Sequence, residues 1–177
     1  MLPLTPGAHE PSGPGPALRV RRAASGDLDR INTITLAAKS SWGYSEAQMA
    51  EWHDSLVSSA ESIHARPTLV ADDEGELVGV VQVDPTLTPW ELVSCWVAPT
   101  HMRRGIGAAL LGAMTAQMAR LGQAVLHIDS DPNAERFYLA QGALRIGEVA
   151  APIDGAAHRV RPQLRLACKA SAQTPPA

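Results

Sequence analysis

Cysteine is scarce in this sequence, with only Cys95 and Cys168 among 177 residues, and both lie in apolar, strand-like segments. Two isolated cysteines do not form a disulfide framework; free buried thiols in a reducing compartment are the simplest interpretation, and a disulfide is the alternative. No apolar run approaches the length that crosses a bilayer. Residues 1–16 also lack the basic start and apolar block of a secretory signal. These absences predict a cytoplasmic protein without a membrane partner.

An excess of positive charge is also missing, since 15 Lys and Arg residues stand against 18 Asp and Glu residues, giving a net charge of −3. This balance predicts no nucleic-acid partner. The histidines and cysteines show no ligand spacing, which predicts no metal. With 45% apolar residues, the chain is long enough for one globular domain, predicted from about residue 17 to 169. Residues 1–16, which are rich in Pro and Gly, and the tail 170–177, which contains only Ala, Ser, Gln, Thr and Pro, are predicted to be flexible.

Hydrophobic periodicity predicts a mixed α/β domain with the element order β, α, α, β, β, β, α, β, α, β, β. Ser25 is the expected cap of the first helix, and Ser45 with Gln48 forms a predicted capping box for the second. Short connections predict a mostly antiparallel sheet of about seven strands with one parallel β-α-β crossover and about four helices. The predicted strands span residues 17–23, 68–71, 76–84, 90–97, 124–128, 145–150 and 163–168.

A glycine-containing segment, residues 97–111, joins a predicted buried strand to a predicted helix and carries Gly105 and Gly107. Glycines at a helix start let a ligand approach the unpaired N–H groups of the first turn, which favours an anion such as a pyrophosphate. Arg103 and Arg104 add positive charge there. A glycine-rich turn with solvated arginines is the simpler alternative.

A dinucleotide site is the second interpretation of this loop, since a strand precedes it and Asp129 ends the following strand. Against it, Leu110 stands where the third glycine of that fingerprint belongs, and the upstream strands form a meander. A Walker A loop is excluded because no Gly-Lys-Ser/Thr follows.

The loop nevertheless resembles a known family. Its pattern Val-x-Pro-x-x-x-Arg-Arg-Gly-Ile-Gly-x-x-Leu-Leu is similar to the acetyl-CoA loop of the GNAT superfamily of N-acetyltransferases, and residues 131–143 resemble the later helix of that family, with its Asn, its Phe-Tyr pair and its closing Gly. The separation of the two blocks and the element order also match. Met102 departs from the family pattern, because a Gln or Arg usually stands at this position of the loop.

The resemblance implies an enzyme that transfers an acetyl or related acyl group from acetyl-CoA to a primary amine by direct attack in a ternary complex. The alternative is a non-catalytic GNAT-like domain that binds acyl-CoA as a regulator or scaffold. The cofactor-binding residues implied by the family pattern are Val97, Arg103, Arg104, Gly105, Ile106, Gly107, Ala108 and Asn133. Asn133 has a purely local hydrogen-bonding role as its alternative.

Tyr138 is implied as the general acid, because its phenol is protonated at neutral pH, with a core tyrosine as the alternative. Glu91 is the candidate base, acting directly or through water; on regular alternation it shares a face with Val93, Cys95 and Val97. A solvent-exposed carboxylate at the strand end is the competing interpretation, and a bulge in this strand changes the face.

The acceptor side is predicted less sharply. Trp42 and Tyr44 lie between the first two predicted helices, where this fold overhangs the acceptor, and Asp129 ends the strand after the loop helix. These three residues are expected to contact the acceptor, with covering of the core edge and opening of the next helix as alternatives. The acceptor itself, a small molecule or a peptide amine, is left open by the sequence. A monomer or a homodimer is expected from the family.

Overall fold

A computed structural model of the protein describes residues 18–169, so the predicted terminal arms lie outside the described residues. Seven strands form one sheet: β1 (Arg19–Arg22), β2 (Thr68–Asp73), β3 (Glu76–Asp84), β4 (Glu91–Val97), β5 (Val125–Asp129), β6 (Leu144–Ala150) and β7 (Val160–Ala167). Five helices flank it: α1 (Leu28–Ser40), α2 (Glu46–Leu56), α3 (Ala60–Ala65), α4 (Ile106–Arg120) and α5 (Glu135–Ala140).

The strand order across the sheet is β1-β2-β3-β4-β5-β7-β6. All neighbouring strands are antiparallel except β4 and β5, which are parallel and are joined by the crossover through α4. This arrangement confirms the predicted fold class, including the meander before the loop and the single parallel pair. Among residues 18–169, none of the helices combines the length and the apolar character that crossing a bilayer requires.

The parallel pairing of β4 with β5 is short. Only Glu91 pairs with His127 and Leu92 with Ile128, after which the two strands diverge. Within the part of the chain that the structure describes, residues 93–97 of β4 therefore pair with no strand on the β5 side. The divergence opens the sheet at the carboxyl ends of both strands, and this opening is the foundation of the site.

A bulge in β4 overturns the expected alternation. Gln82 pairs with Ser94 and Val83 pairs with Leu92, so Val93 is the extra residue. As a result Leu92, Cys95 and Val97 pack on the same apolar cluster, although two residues lie between Leu92 and Cys95 and regular alternation would place these two side chains on opposite faces. The prediction that Glu91 shares a face with Cys95 and Val97 was wrong for this reason.

The two faces of the sheet carry separate cores. On one face, the buried residues of α4, among them Leu110, Leu111 and Met114, pack against β3 and β5. On the other face, Ile31 and Ile34 of α1 pack against Val70 and Val80. Burying each such side chain stabilises the fold by about 1.5–3 kcal/mol, so both faces fix the sheet on which the site is built.

Only some of the predicted helix caps and helix starts occur in the structure. Ser45 caps α2, since the Gln48 N–H donates to its Oγ at 3.2 Å, but the Gln48 side chain bonds to Glu51 and completes no capping box. Ser25 was wrongly predicted as the first cap. It lies in a 3₁₀ turn over residues 25–27, and Asp27 accepts from the N–H of Ala24 instead. The helix predicted to open at Asp131 begins only at Glu135.

Candidate active site

The loop between β4 and α4 exposes a helix start. Gly105 is the N-cap residue of α4 and has a φ of 80°, a conformation that favours glycine, while Arg103 has a φ of 64°. Ala109 makes the first hydrogen bond of the helix, to the Gly105 carbonyl, so the N–H groups of Ile106, Gly107 and Ala108 have no partner within it. Together with the positive end of the helix dipole, these groups form a cradle for an anion.

A cleft of about 490 Å³, here called the loop cleft, lies beside this helix start. Of the predicted cofactor residues, seven line it: Val97, Arg103, Gly105, Ile106, Gly107, Ala108 and Asn133. Met102 also lines it. Arg104 does not, and its guanidinium lies 3.6 Å from the carboxylate of Asp73. The loop cleft is therefore formed by the residues that the motif singled out, with Arg104 outside.

Gly107 is needed for close packing. A Cβ at this position would lie 3.2 Å from Cζ of Phe137 and 3.6 Å from Val97, whereas a Cβ at Gly105 would meet nothing within 4 Å. Gly107 thus lets the ring of Phe137 lie against the first turn of α4. Gly107, from the first sequence block, and Phe137, from the second, therefore pack directly against each other.

The Gly107→Ala substitution is expected to lower stability, because the Phe137 ring must shift by a few tenths of an ångström. The matched control is Gly112→Ala in the same helix, where a Cβ would meet nothing. Since alanine is favoured over glycine in a helix, the control should raise the free energy of unfolding by about 0.5–1 kcal/mol. Urea denaturation of both variants measures the difference. An equal gain in both would contradict the packing role of Gly107.

A second cleft, of about 280 Å³, is lined by residues of β4 and β5 and is here called the polar cleft. Its aromatic walls are Trp42, Trp52 and Trp96, and Lys39, Asp129, Asp131, Arg159 and Arg161 supply its charges. The two clefts share lining residues, among them Cys95 and Tyr138. They therefore meet where β4 and β5 diverge.

Tyr138 stands at this junction, with only 7% of its surface exposed. Burial, together with the neighbouring Cys95, raises the pKa of the Tyr138 phenol well above its usual range. Burial likewise raises the pKa of the Cys95 thiol to about 12. Both groups therefore keep their protons across the neutral range, so the Tyr138 hydroxyl has a proton that it can donate, and Cys95 is a poor nucleophile.

Asp131 is the centre of a buried ionic cluster in the polar cleft. Its Oδ2 accepts from Lys39 Nζ at 2.6 Å, from the Tyr44 hydroxyl at 2.7 Å and from Arg159 at 2.9 Å. The side chains of Lys39, Asp131 and Arg159 are 9%, 6% and 8% exposed. Burial alone would raise the pKa of the Asp131 carboxyl, but hydrogen bonds from Lys39, the Asn133 N–H and Tyr44 outweigh it and lower this pKa. Asp131 is therefore ionised and has no lone pair on Oδ2 left for a ligand.

The predicted acceptor residues differ in their placement. Trp42 lines both clefts and its ring lies 5.3 Å from that of Trp96. Tyr44 lines neither cleft; it holds Asp131 through its hydroxyl and packs edge-on against Trp52. Asp129 lines the polar cleft and accepts from Gln163 at 2.8 Å, with Arg161 at 3.0 Å.

Glu91 lies at the start of β4, away from the lining of both clefts. Its Oε2 is 3.2 Å from Nδ1 of His127, the residue opposite it on β5. This pairing occupies the carboxylate. The prediction of Glu91 as a base consequently lacks support for direct contact with an acceptor.

Sequence reasoning missed Lys39, Arg159, Trp52 and the role of Asp131, which was assigned only to opening a helix. Lys39 lies at the end of the buried stripe of α1, after Ile34, Thr35 and Ala38, and a lysine at such a position was the one available signal. Arg159 comes from the segment before β7, and no local pattern distinguishes it. Within residues 18–169, no group of three or more His, Cys, Asp or Glu side chains is arranged to hold a metal ion.

Comparison with known proteins places this geometry in context. A model of the acetyltransferase (GNAT) family matches residues 30–143. A GCN5-related N-acetyltransferase from Rhodopseudomonas palustris is similar with a TM-score of 0.68 and 20% identity, over 90% of this chain and 99% of that one. PaiA N-acetyltransferase from Thermoplasma acidophilum, solved with coenzyme A, has a TM-score of 0.66 and 17% identity, over 84% and 98% of the two chains.

YncA from Salmonella typhimurium, whose structure contains acetyl-CoA, has a TM-score of 0.64 and 18% identity, over 92% of this chain and 99% of that one. No curated protein sequence matches this chain significantly. At these identities the structural likeness concerns the fold, and the family match concerns the segment from α1 to the end of α5.

Proposed function

The chain belongs to the acetyltransferase (GNAT) family, and from this premise we propose that it transfers an acetyl group from acetyl-CoA to a primary amine by direct attack in a ternary complex. One observation carries the proposal. Two clefts of different chemistry, one at a helix start and one lined by charges and indoles, meet at the buried hydroxyl of Tyr138. Such an arrangement brings two substrates together with a proton donor between them.

Acetyl-CoA is assigned to the loop cleft. The N–H groups of Ile106, Gly107 and Ala108 would hold its pyrophosphate, with Arg103 adding positive charge. The unpaired carboxyl half of β4, ending at Val97, would run beside the pantetheine arm. Met102 cannot donate to phosphate, so the backbone supplies the contact that a Gln or Arg side chain makes in the family pattern. Asn133 lines the same cleft and is proposed as a further contact.

The reaction replaces a C–S bond by a C–N bond and moves one proton from nitrogen to sulfur. The amine nitrogen attacks the thioester carbonyl carbon, and the C–S bond then breaks with its electron pair passing to sulfur. Tyr138 donates its proton to that sulfur as CoA leaves, and recovers a proton from solvent or from the amine. The products are the N-acetyl amine and CoA-SH, so atoms and charges balance.

The proton of the attacking amine needs an acceptor. Both candidate carboxylates are paired, Asp129 with Arg161 and Gln163 and Glu91 with His127. Asp129 is better situated because it lines the polar cleft, whereas Glu91 lines neither cleft. We therefore assign the base role to Asp129 and keep Glu91 as a residue that acts at most through water.

The proposal is tested by coupling CoA release to an amine panel. Wild-type protein is incubated with acetyl-CoA and individual primary amines, and free CoA is detected with a thiol-reactive dye. Amine-dependent release supports the transferase, while binding of CoA in calorimetry without release to any amine supports the acyl-CoA-binding alternative. Absence of CoA binding overturns both.

Gly105→Ala is expected to weaken CoA binding at least tenfold, because a side chain at a φ of 80° strains the backbone of the cradle at a residue that lines the loop cleft. The control is Gly75→Ala in the β2–β3 turn, which has a φ of 88°, equally open surroundings and no place in either cleft. Both changes should cost about 1–2 kcal/mol of stability through the left-handed backbone. Calorimetric titration with CoA separates them: an equal loss of affinity in the two variants contradicts the assigned cradle.

A further inference from the structure

The charges of the polar cleft do not balance. Among the described residues that line it, Lys39, Arg159 and Arg161 are cationic, and Asp129 and Asp131 are anionic. Arg161 pairs with Asp129 at the half-exposed rim of the cleft. In the buried part, Lys39 and Arg159 share the single carboxylate of Asp131 and even the same oxygen, Oδ2. A net positive charge therefore remains where water has little access, which is costly unless an anion joins it.

Hydrogen-bond donors are left over in the same place. Within residues 18–169, the buried Nε of Arg159 has no hydrogen-bond partner, and the side chain as a whole is more than nine-tenths buried. The Lys39 ammonium has three N–H groups and makes one hydrogen bond, to Asp131. Buried donors are normally satisfied. The Arg159 Nε and the two N–H groups of Lys39 that Asp131 does not use therefore point to a ligand group that brings acceptor oxygens.

Aromatic rings compensate for part of the charge. Nζ of Lys39 lies 4.6 Å from the ring centroid of Trp52 and 5.3 Å from that of Trp42. The guanidinium of Arg159 lies 5.3 Å from the Trp52 ring. Each such contact contributes about 0.5–2 kcal/mol, but an indole ring has no oxygen that could accept a hydrogen bond from the spare donors. The rings hold the two cations in position without satisfying them.

Electrostatics in the cluster agree with this picture. Burial lowers the pKa of the Lys39 ammonium, Asp131 opposes that shift, and repulsion from Arg159 and Arg161 adds to it. A second anion beside Lys39 and Arg159 would favour the charged form of Lys39 and so raise its pKa.

We propose that the acceptor of this enzyme is a small primary amine that also carries a carboxylate, and that Lys39 and Arg159 bind this carboxylate in the polar cleft. The inference rests on the proposed function, since it describes the acceptor side of that reaction. An amine that reacts beside Tyr138 leaves the rest of its molecule in the polar cleft, where the cationic pair lies. The volume of about 280 Å³ suits a molecule of amino-acid size, with Trp42 and Trp96 as its apolar walls.

The test compares matched ligands that differ only in charge. N-acetyl amino acids with small, aliphatic and aromatic side chains, which are the products of the proposed reaction, are titrated into the full-length protein beside their C-terminal amides. Calorimetry is run with and without saturating CoA. At least one carboxylate should bind tenfold or more tightly than its amide. Equal or undetectable binding of both members in every pair would overturn the inference.

Two variants and a control test whether Lys39 and Arg159 cause the preference for the carboxylate. Arg159→Met and Lys39→Met should each reduce the affinity for the carboxylate at least tenfold, while the affinity for the amide and for CoA changes less than twofold. Arg145→Met removes an exposed arginine of β6, which pairs with Glu135 and Glu148, and should leave the carboxylate preference intact. Circular dichroism verifies folding of each variant. If one variant does not fold, the other and the wild-type comparison still decide.

Failure of this inference is distinguishable from failure of the proposed function. Lack of CoA binding would overturn the acetyltransferase proposal, whereas the titrations without CoA still report whether the polar cleft prefers a carboxylate. CoA release with amines that lack a carboxylate, at rates equal to those of their amino-acid counterparts, would keep the transferase and overturn the inference.

Discussion

Asp131→Asn is expected to lower the free energy of unfolding by about 3–5 kcal/mol, because it leaves the buried cations Lys39 and Arg159 without their shared counter-charge. For a chain of this length the loss corresponds to a decrease in Tm of about 10 °C. Thermal and urea denaturation followed by circular dichroism measure it. The effect should shrink in the Lys39→Met background, since removing one cation relieves the repulsion that the substitution creates.

The matched control for this prediction is Glu76→Gln. Glu76 also pairs with an arginine, Arg30, but it is more than half exposed, so its loss should cost no more than about 1 kcal/mol. Similar losses in the two variants would contradict the buried role of Asp131.

Asp131 also makes the folding stability depend on pH. Because the folded-state pKa of Asp131 is lowered, the stability that it contributes is present above the unfolded carboxyl pKa of about 3.9 and is lost as the pH falls through the folded value. Wild-type protein should therefore lose stability below about pH 4 more steeply than Asp131→Asn does. Parallel acid-unfolding curves for the two proteins would contradict this assignment.

Tyr138→Phe is expected to reduce kcat by about 10²–10⁴, because it removes the proton donor at the junction of the clefts. The hydroxyl is buried and its pKa is raised, so it stays protonated throughout the working range and its loss cannot be offset by a change of pH. CoA affinity should change less than twofold, since the phenol ring remains in its packing. Steady-state kinetics with the best amine of the panel, together with CoA titration, measure the two quantities.

The other tyrosine of the chain provides the contrast. Tyr44→Phe removes a hydroxyl that supports Asp131, so its main effect should be a loss of stability of about 1 kcal/mol, with a far smaller change in kcat. If Tyr138→Phe alters stability while kcat stays within threefold of wild type, Tyr138 is a core residue and not the acid.

Much of the fold was predictable, because residues that are neighbours in the sequence determine most of its strands and helices. The strand predicted at 76–84 has the same bounds in the structure, since turn residues flank it and its apolar residues are continuous. The helix that the sequence predicts over 107–121 spans Ile106–Arg120, one residue earlier at each end, and the predicted stop Gly122 follows it with a φ of 82°. The bulge at Val93 was not predictable, because it depends on the register between β3 and β4, which alternation along one strand does not contain.

The candidate site likewise has one part that the sequence predicted and one part that it did not. The cradle residues Gly105, Ile106 and Gly107 are contiguous, so a motif contained them. The cluster of Lys39, Asp131 and Arg159 joins positions separated by 92 and 28 residues, and only the folded sheet brings them together. The motif suggested that Gly107 admits a ligand, whereas the structure adds that it makes room for Phe137.

Three of the four tryptophans in this chain, Trp42, Trp52 and Trp96, line the clefts, and Trp90 packs against the main core instead. Indole emission depends on the polarity of its surroundings. The protein thus contains an intrinsic optical reporter: filling the loop cleft changes the surroundings of Trp42 and Trp96, and filling the polar cleft also changes those of Trp52. Occupancy of each cleft can therefore be followed in real time without a label, with Trp90 as a nearly constant background.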